Sequence, residues 1–262
     1  MSDPIKQVIC IGYEPREDDA FQIAKASAEK FAPPGTFVTG IYLKELVELG
    51  LYKRRTETKD NKLWDVISEA PMSTEFAISR FLSMEVADLH LKKANLKWDF
   101  YTTNWVMFMD CDMLVRKPLA PLFDLARTPE NRRKAVLCVK HQHNPLPGIK
   151  MDGQLQTQYA RKNWSSVMLF NYEHPSNTLD LTVELINTVP GRDLHRFCWL
   201  EDNDIGELSP EYNYLVGYTK GVDPVIVHYT EGVPSMPGYE NCEFSEEWWI
   251  WRRELEAKGI IH

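Results

Sequence analysis

The chain has 262 residues, 44% hydrophobic and 26% charged, with 30 Lys and Arg against 38 Asp and Glu for a formal net charge of −8. That composition excludes a disordered or fibrous protein, and the length is ample for a real core. The acid excess lies in residues 201–262, where 13 acidic side chains face 4 basic ones, which argues against a globally basic nucleic-acid binder.

The opening Met1-Ser2-Asp3-Pro4-Ile5-Lys6-Gln7 lacks a basic, then apolar, signal pattern, so no secretory leader is expected. Gln7–Ile11 is an apolar run ending at Gly12 and reads as a buried first strand. Glu17-Asp18-Asp19 then opens a helix to about Lys30, with acid placed where the helix dipole favours it. Pro33-Pro34-Gly35 stops that helix, and Thr36–Leu43 reads as a second strand. Residues 51–70 are polar and weakly patterned, and are expected to be a surface connection. From Ser73 to Lys92 the pattern is helical, with Ile78, Leu82, Val86 and Leu89 on one face.

Asn104–Met109 is the clearest central strand; Lys134–Lys140 and Ser165–Phe170 are further strands. Asn177–Val189 reads as a helix capped by Ser176 or Asn177. Tyr212–Tyr218 and Pro224–Tyr229 are the last strands, and Ser245–Lys258 a terminal helix. Trp248, Trp249 and Trp251 on that helix are expected to pack onto the core. Alternating strands and helices predict an α/β fold, and no linker divides the chain, so one domain is expected. No window approaches 18 consecutive apolar residues, so no membrane span is expected. Five cysteines without a C-x-x-C pair exclude a zinc ribbon and point to free thiols in a reducing, cytoplasmic setting.

Chemistry concentrates where the central strand ends. Asn-Trp-Val-Met-Phe-Met runs directly into Asp110-Cys111-Asp112. In open α/β sheets ligands gather outside the carboxyl ends of the strands, and paired carboxylates suit a hard divalent cation. Pro224-Val225-Ile226-Val227 likewise ends in His228, whose imidazole is a natural third ligand for Mn²⁺.

With these elements the chain resembles the GT-A glycosyltransferases, most closely the retaining glycogenin and lipopolysaccharide-galactosyltransferase type. The resemblance rests on five stretches in order: Gly12–Glu17 as the nucleotide-binding turn, Thr74–Phe81 as the helix carrying an arginine, Phe108–Asp112 as the Asp-x-Asp element, Asn163–Asn171 as the Asn-Ser-Gly-containing strand, and His228–Gly232 as the metal-binding histidine and its loop. It implies a single GT-A domain, a mostly parallel central sheet flanked by helices, with residues 1–115 binding the nucleotide sugar and residues 116–262 completing the metal site and binding the acceptor. It also implies Asp110, Asp112 and His228 as ligands of Mn²⁺ or Mg²⁺ across the diphosphate of a donor such as a UDP-sugar. Gly12, Tyr13, Arg80 and Ser165 would contact the donor. Asp202-Asn203-Asp204 resembles the family's Asp-Gln-Asp, which would put Asn203 and Asp204 beside the transferred sugar, and the family's outcome is retention. The sequence departs from the family at Trp164-Ser165-Ser166, where Asn-Ser-Gly is usual, and at Gly232-Val233-Pro234-Ser235, which lacks the lysine before Pro-Trp.

Lys140–Pro145 is a candidate acceptor loop. The acceptor itself stays open between a glycan, a lipid-linked sugar, a protein hydroxyl and a hydroxymethylated DNA base. Lys53-Arg54-Arg55, Arg132-Arg133-Lys134 and Arg161-Lys162 leave room for a polyanion but read first as solvated patches, as do Glu243, Glu246, Glu247, Glu254 and Glu256. Two other classes fit the same carboxylates: a metal-dependent nucleotidyltransferase or phosphohydrolase, and a non-catalytic nucleotide-sugar-binding module. The absence of GxxxxGK[ST] excludes a P-loop enzyme.

Overall fold

A computed structural model describes residues 4–60, 62–99, 101–102, 104–141 and 164–261. Two fully buried runs, β1 (Gln7–Gly12) and β6 (Trp105–Met109), lie side by side and parallel at the centre of a six-stranded sheet. Runs without polar alternation are what a strand covered on both faces requires. β2 (Thr36–Ile41) pairs parallel with the outer side of β1. On the other side, β9 (Val167–Asn171) runs antiparallel between β6 and β8 (Val136–Cys138), and β10 (Ile205–Glu207) closes that edge parallel to β8.

α1 (Asp18–Phe31) buries Phe21, Ala24 and Ala28 in the main core and turns Ala20 and Ile23 toward a second apolar cluster. α2 (Leu43–Glu48) follows β2, and only its Leu46 is buried. The chain then departs from the sequence reading. Residues 51–70 are not a plain connection: β3 (Thr56–Lys59), β4 (Lys62–Asp65) and β5 (Ala70–Pro71) make a three-stranded antiparallel sheet. Its anchor is an ion pair between Arg54 and Asp65, both side chains 0% exposed. Arg54 is therefore no solvated basic patch.

The helical stretch from Ser73 is also interrupted. α3 (Phe76–Ser79) and α4 (Ser83–Lys93) are separated by a tighter turn at Arg80–Leu82. The buried Ser83 hydroxyl donates to the Arg80 carbonyl at 2.6 Å, a local bond that competes with a continuous helix. The helix expected over 177–189 is likewise split into a π-type turn, Ser176–Asp180, and α6 (Val183–Thr188). Thr182 caps α6, accepting from the Leu185 amide, while Asn177 turns inward to donate to the Ala135 and Asn171 carbonyls.

After β6 the chain crosses to a smaller sheet, in which β7 (Met113–Val115) is antiparallel to β12 (Ile226–His228), and β12 is parallel to β11 (Tyr214–Leu215). The last two strands are shorter than expected from sequence. α5 (Ala120–Ala126) leads to β8, and α7 (Gly191–His195) follows α6. α8 (Ser245–Ala257) packs Trp248 and Leu255 with Val227 and Tyr229 in the second cluster, while Trp249 and Trp251 lie partly buried against it. Glu247 of the acid-rich tail is not simply solvated. Arg116 grips it with two hydrogen bonds of 2.8 Å, tying the end of β7 to α8. Among the described residues no helix is long and apolar enough to cross a membrane.

Candidate active site

Asp110-Cys111-Asp112 occupies the joint between the two sheets, one residue beyond β6 and one before β7. The antiparallel register sets His228 opposite Met113, and the Tyr229 amide donates to the Asp112 carbonyl at 2.9 Å. The histidine thus reaches the carboxylates through strand pairing. One ligand atom from each of Asp110, Asp112 and His228 lies within 4.8 Å of the others.

Further contacts orient two of the three, Asp110 and His228. Arg80 reaches Asp110 Oδ1 at 2.8 Å, and its guanidinium lies 5.2 Å from the centre of the Phe76 ring and 4.9 Å from that of Phe108. The Asp110 amide donates to the Ser166 carbonyl, which holds the turn against the start of β9. His228 is positioned by Asn213, a residue that sequence reasoning missed. The fully buried Asn213 places its Oδ1 3.0 Å from His228 Nδ1, and its amide nitrogen donates to Ser166 Oγ at 2.8 Å. The amide's donation to Ser166 fixes its orientation, so Nδ1 must carry the proton and Nε2 faces Asp112 Oδ2 at 3.4 Å.

The donor set fits a divalent cation. Asp112 Oδ1 is buried and has no hydrogen-bond partner, and two carboxylates with one imidazole form an oxygen-rich set suited to Mn²⁺ or Mg²⁺. Burial, then the charges of Asp112 and Glu14, pushes Glu17 up to about 8, against a lowering pull from Arg16. Cys111 Sγ, buried between the two aspartates, points to Glu17 Oε2 at 3.8 Å.

The remaining expected site residues divide. Tyr13, in the turn after β1, stands edge-on to Phe21 and tilted against Tyr42, each ring centre 5.0 Å away. Gly12 is required by packing: a Cβ there would lie 2.4 Å from the Phe76 ring. Ser165 acts from behind the site, its carbonyl accepting from Arg80 and its hydroxyl lying 2.7 Å from His195 Nδ1. Burial, with the Arg80 charge, pushes His195 down to about 3, so this ring is neutral.

Asn203 and Asp204 are not brought to this cluster. β10 is parallel to β8, and the Asp204 carbonyl accepts from the Ala135 amide just before β8 begins. Asp110 lies past the carboxyl end of β6, so the Asp-Asn-Asp turn sits at the other end of the sheet. Its three residues are largely exposed, and the Asn203 carbonyl accepts from Lys134 Nζ. The chain returns to the site only after β10, at Asn213. The expected acceptor loop is described as far as His141; Gln142–Pro145, Arg161-Lys162 and Asn163 lie outside the described residues.

A nucleotide-binding type of α/β sheet, joined through an Asp-x-Asp turn to a small sheet carrying a histidine, is the GT-A glycosyltransferase fold. Solved structures share it. The WbbM bifunctional glycosyltransferase superposes with a TM-score of 0.58 at 12% identity, covering 99% of this chain and 52% of that one. GlyE of Streptococcus pneumoniae TIGR4 gives 0.54 at 13% identity, over 99% of this chain and 65% of that one. The galactosyltransferase LgtC, solved with donor and acceptor sugar analogues, gives 0.50 at 11% identity, over 97% of this chain and 100% of that one. This chain therefore spans about half of WbbM and about two thirds of GlyE. No known family profile matches the sequence.

The chain belongs to the family of Protein CDI of Arabidopsis thaliana. The two are 36% identical over 254 residues, which cover 95% of this chain and 85% of that protein.

Proposed function

We propose that the chain is a metal-dependent glycosyltransferase that moves a sugar from a nucleotide-sugar donor to a hydroxyl acceptor. The carrying observation is the convergence of Asp110, Asp112 and His228 at the joint of a GT-A fold. Mn²⁺ or Mg²⁺ would be held by those three side chains, and when bound it would neutralise the negative charge gathering on the leaving diphosphate. Arg80 holds Asp110 in place, and Asn213 keeps His228 in the tautomer that offers Nε2. Tyr13 would pack against the base of a UDP-sugar. Retention of the anomeric configuration follows the family resemblance. We assign the chain as one catalytic unit, with residues 1–115 on the donor side and residues 116–262 completing the metal site. A reducing, cytoplasmic setting follows from the sequence reading of five cysteines without a C-x-x-C pair.

The test is nucleotide release from a panel of nucleotide sugars, with and without Mn²⁺, using the wild type and Asp112→Ala. Release that needs both the ion and Asp112 is expected. Thermal protection by nucleoside triphosphates but by no nucleotide sugar would replace this reading with a nucleotidyltransferase or phosphohydrolase. Binding of nucleotide sugar without any release, even with acceptors supplied, would leave a non-catalytic module.

A further inference from the structure

The cation that steadies Asp110 is itself held by backbone from two distant parts of the chain. Arg80 is buried, and its guanidinium donates from Nε to the Ala77 carbonyl at 3.1 Å and from Nη1 to the Ser165 carbonyl at 2.9 Å. Ala77 belongs to α3, whereas Ser165 lies in the tight turn Trp164–Ser166 that leads into β9. The same turn carries Ser166, whose hydroxyl accepts from Asn213 and whose carbonyl accepts from the Asp110 amide. The aim of the Asp110 carboxylate therefore depends on α3 and this turn keeping a fixed separation.

His195 bridges the two. It ends α7, half-buried, with Nδ1 2.7 Å from the Ser165 hydroxyl, and its ring also hydrogen-bonds the Ala77 backbone. One imidazole thus engages both residues whose carbonyls hold Arg80. Packing sets the ring: it stands edge-on to Phe81, the residue after Arg80, with centres 5.3 Å apart and planes at 74°. The start of α7 is anchored elsewhere. There the Gly191 amide donates to Ser68 Oγ at 2.8 Å, and Ser68 Oγ accepts from Arg54 Nη2 at 3.3 Å. His195 is therefore carried by an element separate from α3 and β9, and can brace one against the other.

We propose that His195 is a positioning residue of the metal site, acting through Ser165 and Arg80 to hold the Asp110 carboxylate in place for a divalent cation. The proposal rests on the reading of Asp110, Asp112 and His228 as metal ligands, and adds a residue that touches none of them. Partners that orient a ligand are worth a large share of metal affinity, and here the orienting chain is one link longer than for Asn213 and His228.

The experiment is titration of the purified full chain with Mn²⁺ alone, read from the electron paramagnetic resonance of the free ion, with melting temperatures to confirm that each variant is folded. His195→Leu is expected to weaken binding about fivefold or more. His195→Asn, which keeps a polar group at the position of Nδ1, is expected to recover most of that loss. Arg80→Lys keeps the charge but loses the fork that spans both carbonyls, so adding His195→Leu to it is expected to change the affinity less than about twofold. Should His195→Leu not fold, Ser165→Ala deletes only the hydroxyl and is expected to weaken binding in the same way. Unchanged affinity in His195→Leu or Ser165→Ala, an Asn variant no better than Leu, or an undiminished loss in the Arg80→Lys background overturns the proposal. No binding of Mn²⁺ by the wild type overturns it together with the metal site itself. The titration contains no nucleotide sugar, so a chain that binds Mn²⁺ through His195 yet releases no nucleotide would lose only the transferase reading.

Discussion

Removing the Asp65 carboxylate is expected to destabilise the protein severely, because Arg54 has nowhere else to place its charge. The guanidinium donates from Nε and Nη2 to the two Asp65 oxygens at 3.0 and 2.5 Å, and from Nη1 to the Ile186 and Val189 carbonyls, each at 2.7 Å. Its last contact is Ser68 Oγ at 3.3 Å, and both ion-pair side chains are 0% exposed. Asp65→Ala leaves this cation buried without a counter-ion, a change that costs about 3–5 kcal/mol. Against a total stability of about 5–15 kcal/mol, that is a large fraction. The double replacement Arg54→Met with Asp65→Leu removes both charges and is expected to recover most of the loss.

Urea unfolding at pH 7, followed by far-ultraviolet circular dichroism, measures all three proteins. An Asp65→Ala loss below about 1 kcal/mol, or a double variant no better than the single one, would refute the argument. A second reading comes from pH. Burial alone would raise the Asp65 carboxyl, but the hydrogen bonds from Arg54 and Ser68 outweigh it and hold the group below its ordinary 3.8. A depressed carboxyl stabilises the fold above its unfolded value and loses that contribution as pH falls through the lower, folded one. The wild type should therefore show an acid-induced loss below about pH 4 that the double variant lacks.

Asn213→Ala is expected to weaken Mn²⁺ binding about ten- to a hundredfold by calorimetry, because the imidazole loses the partner that fixes its tautomer. Unchanged affinity in a folded variant would remove Asn213 from the site. Glu85 on α4 carries a buried carboxylate oxygen without a hydrogen-bond partner, and burial, with Asp88 adding, pushes the group up to about 7. A raised carboxyl favours the fold below its unfolded value near 4.5, and that advantage is lost as pH rises through about 7. Glu85→Gln should therefore gain about 2–3 kcal/mol at pH 8 relative to wild type and little at pH 5, read from urea midpoints. An equal effect at both pH values would contradict this.

The central strand and its two carboxylates were readable because two signals coincide: an apolar run too continuous for a half-exposed strand, and a sharp change to acid at its end. His228 was readable for the same reason. Arg54 and Asp65 were not, since an ion pair between residues eleven positions apart in a polar stretch looks like surface until the small sheet folds over it. Asn213 was hidden because its meaning depends on a strand partner far along the chain. The Asp202-Asn203-Asp204 match misled for a topological reason. Three residues carry no information about which end of a strand they precede, and here they precede the wrong end.

The joint that carries Asp110 and Asp112 also bears on supply of the ion to the protein. Those carboxylates and His228 are more than a hundred residues apart in sequence, yet a single cation would touch all three. A cation so held is a removable cross-link that closes a very long loop and clamps the large sheet to the small one. Starvation for the ion would then reach the protein as shortened lifetime as well as lost turnover, because the ion-free chain samples open states more often and is cleared from them.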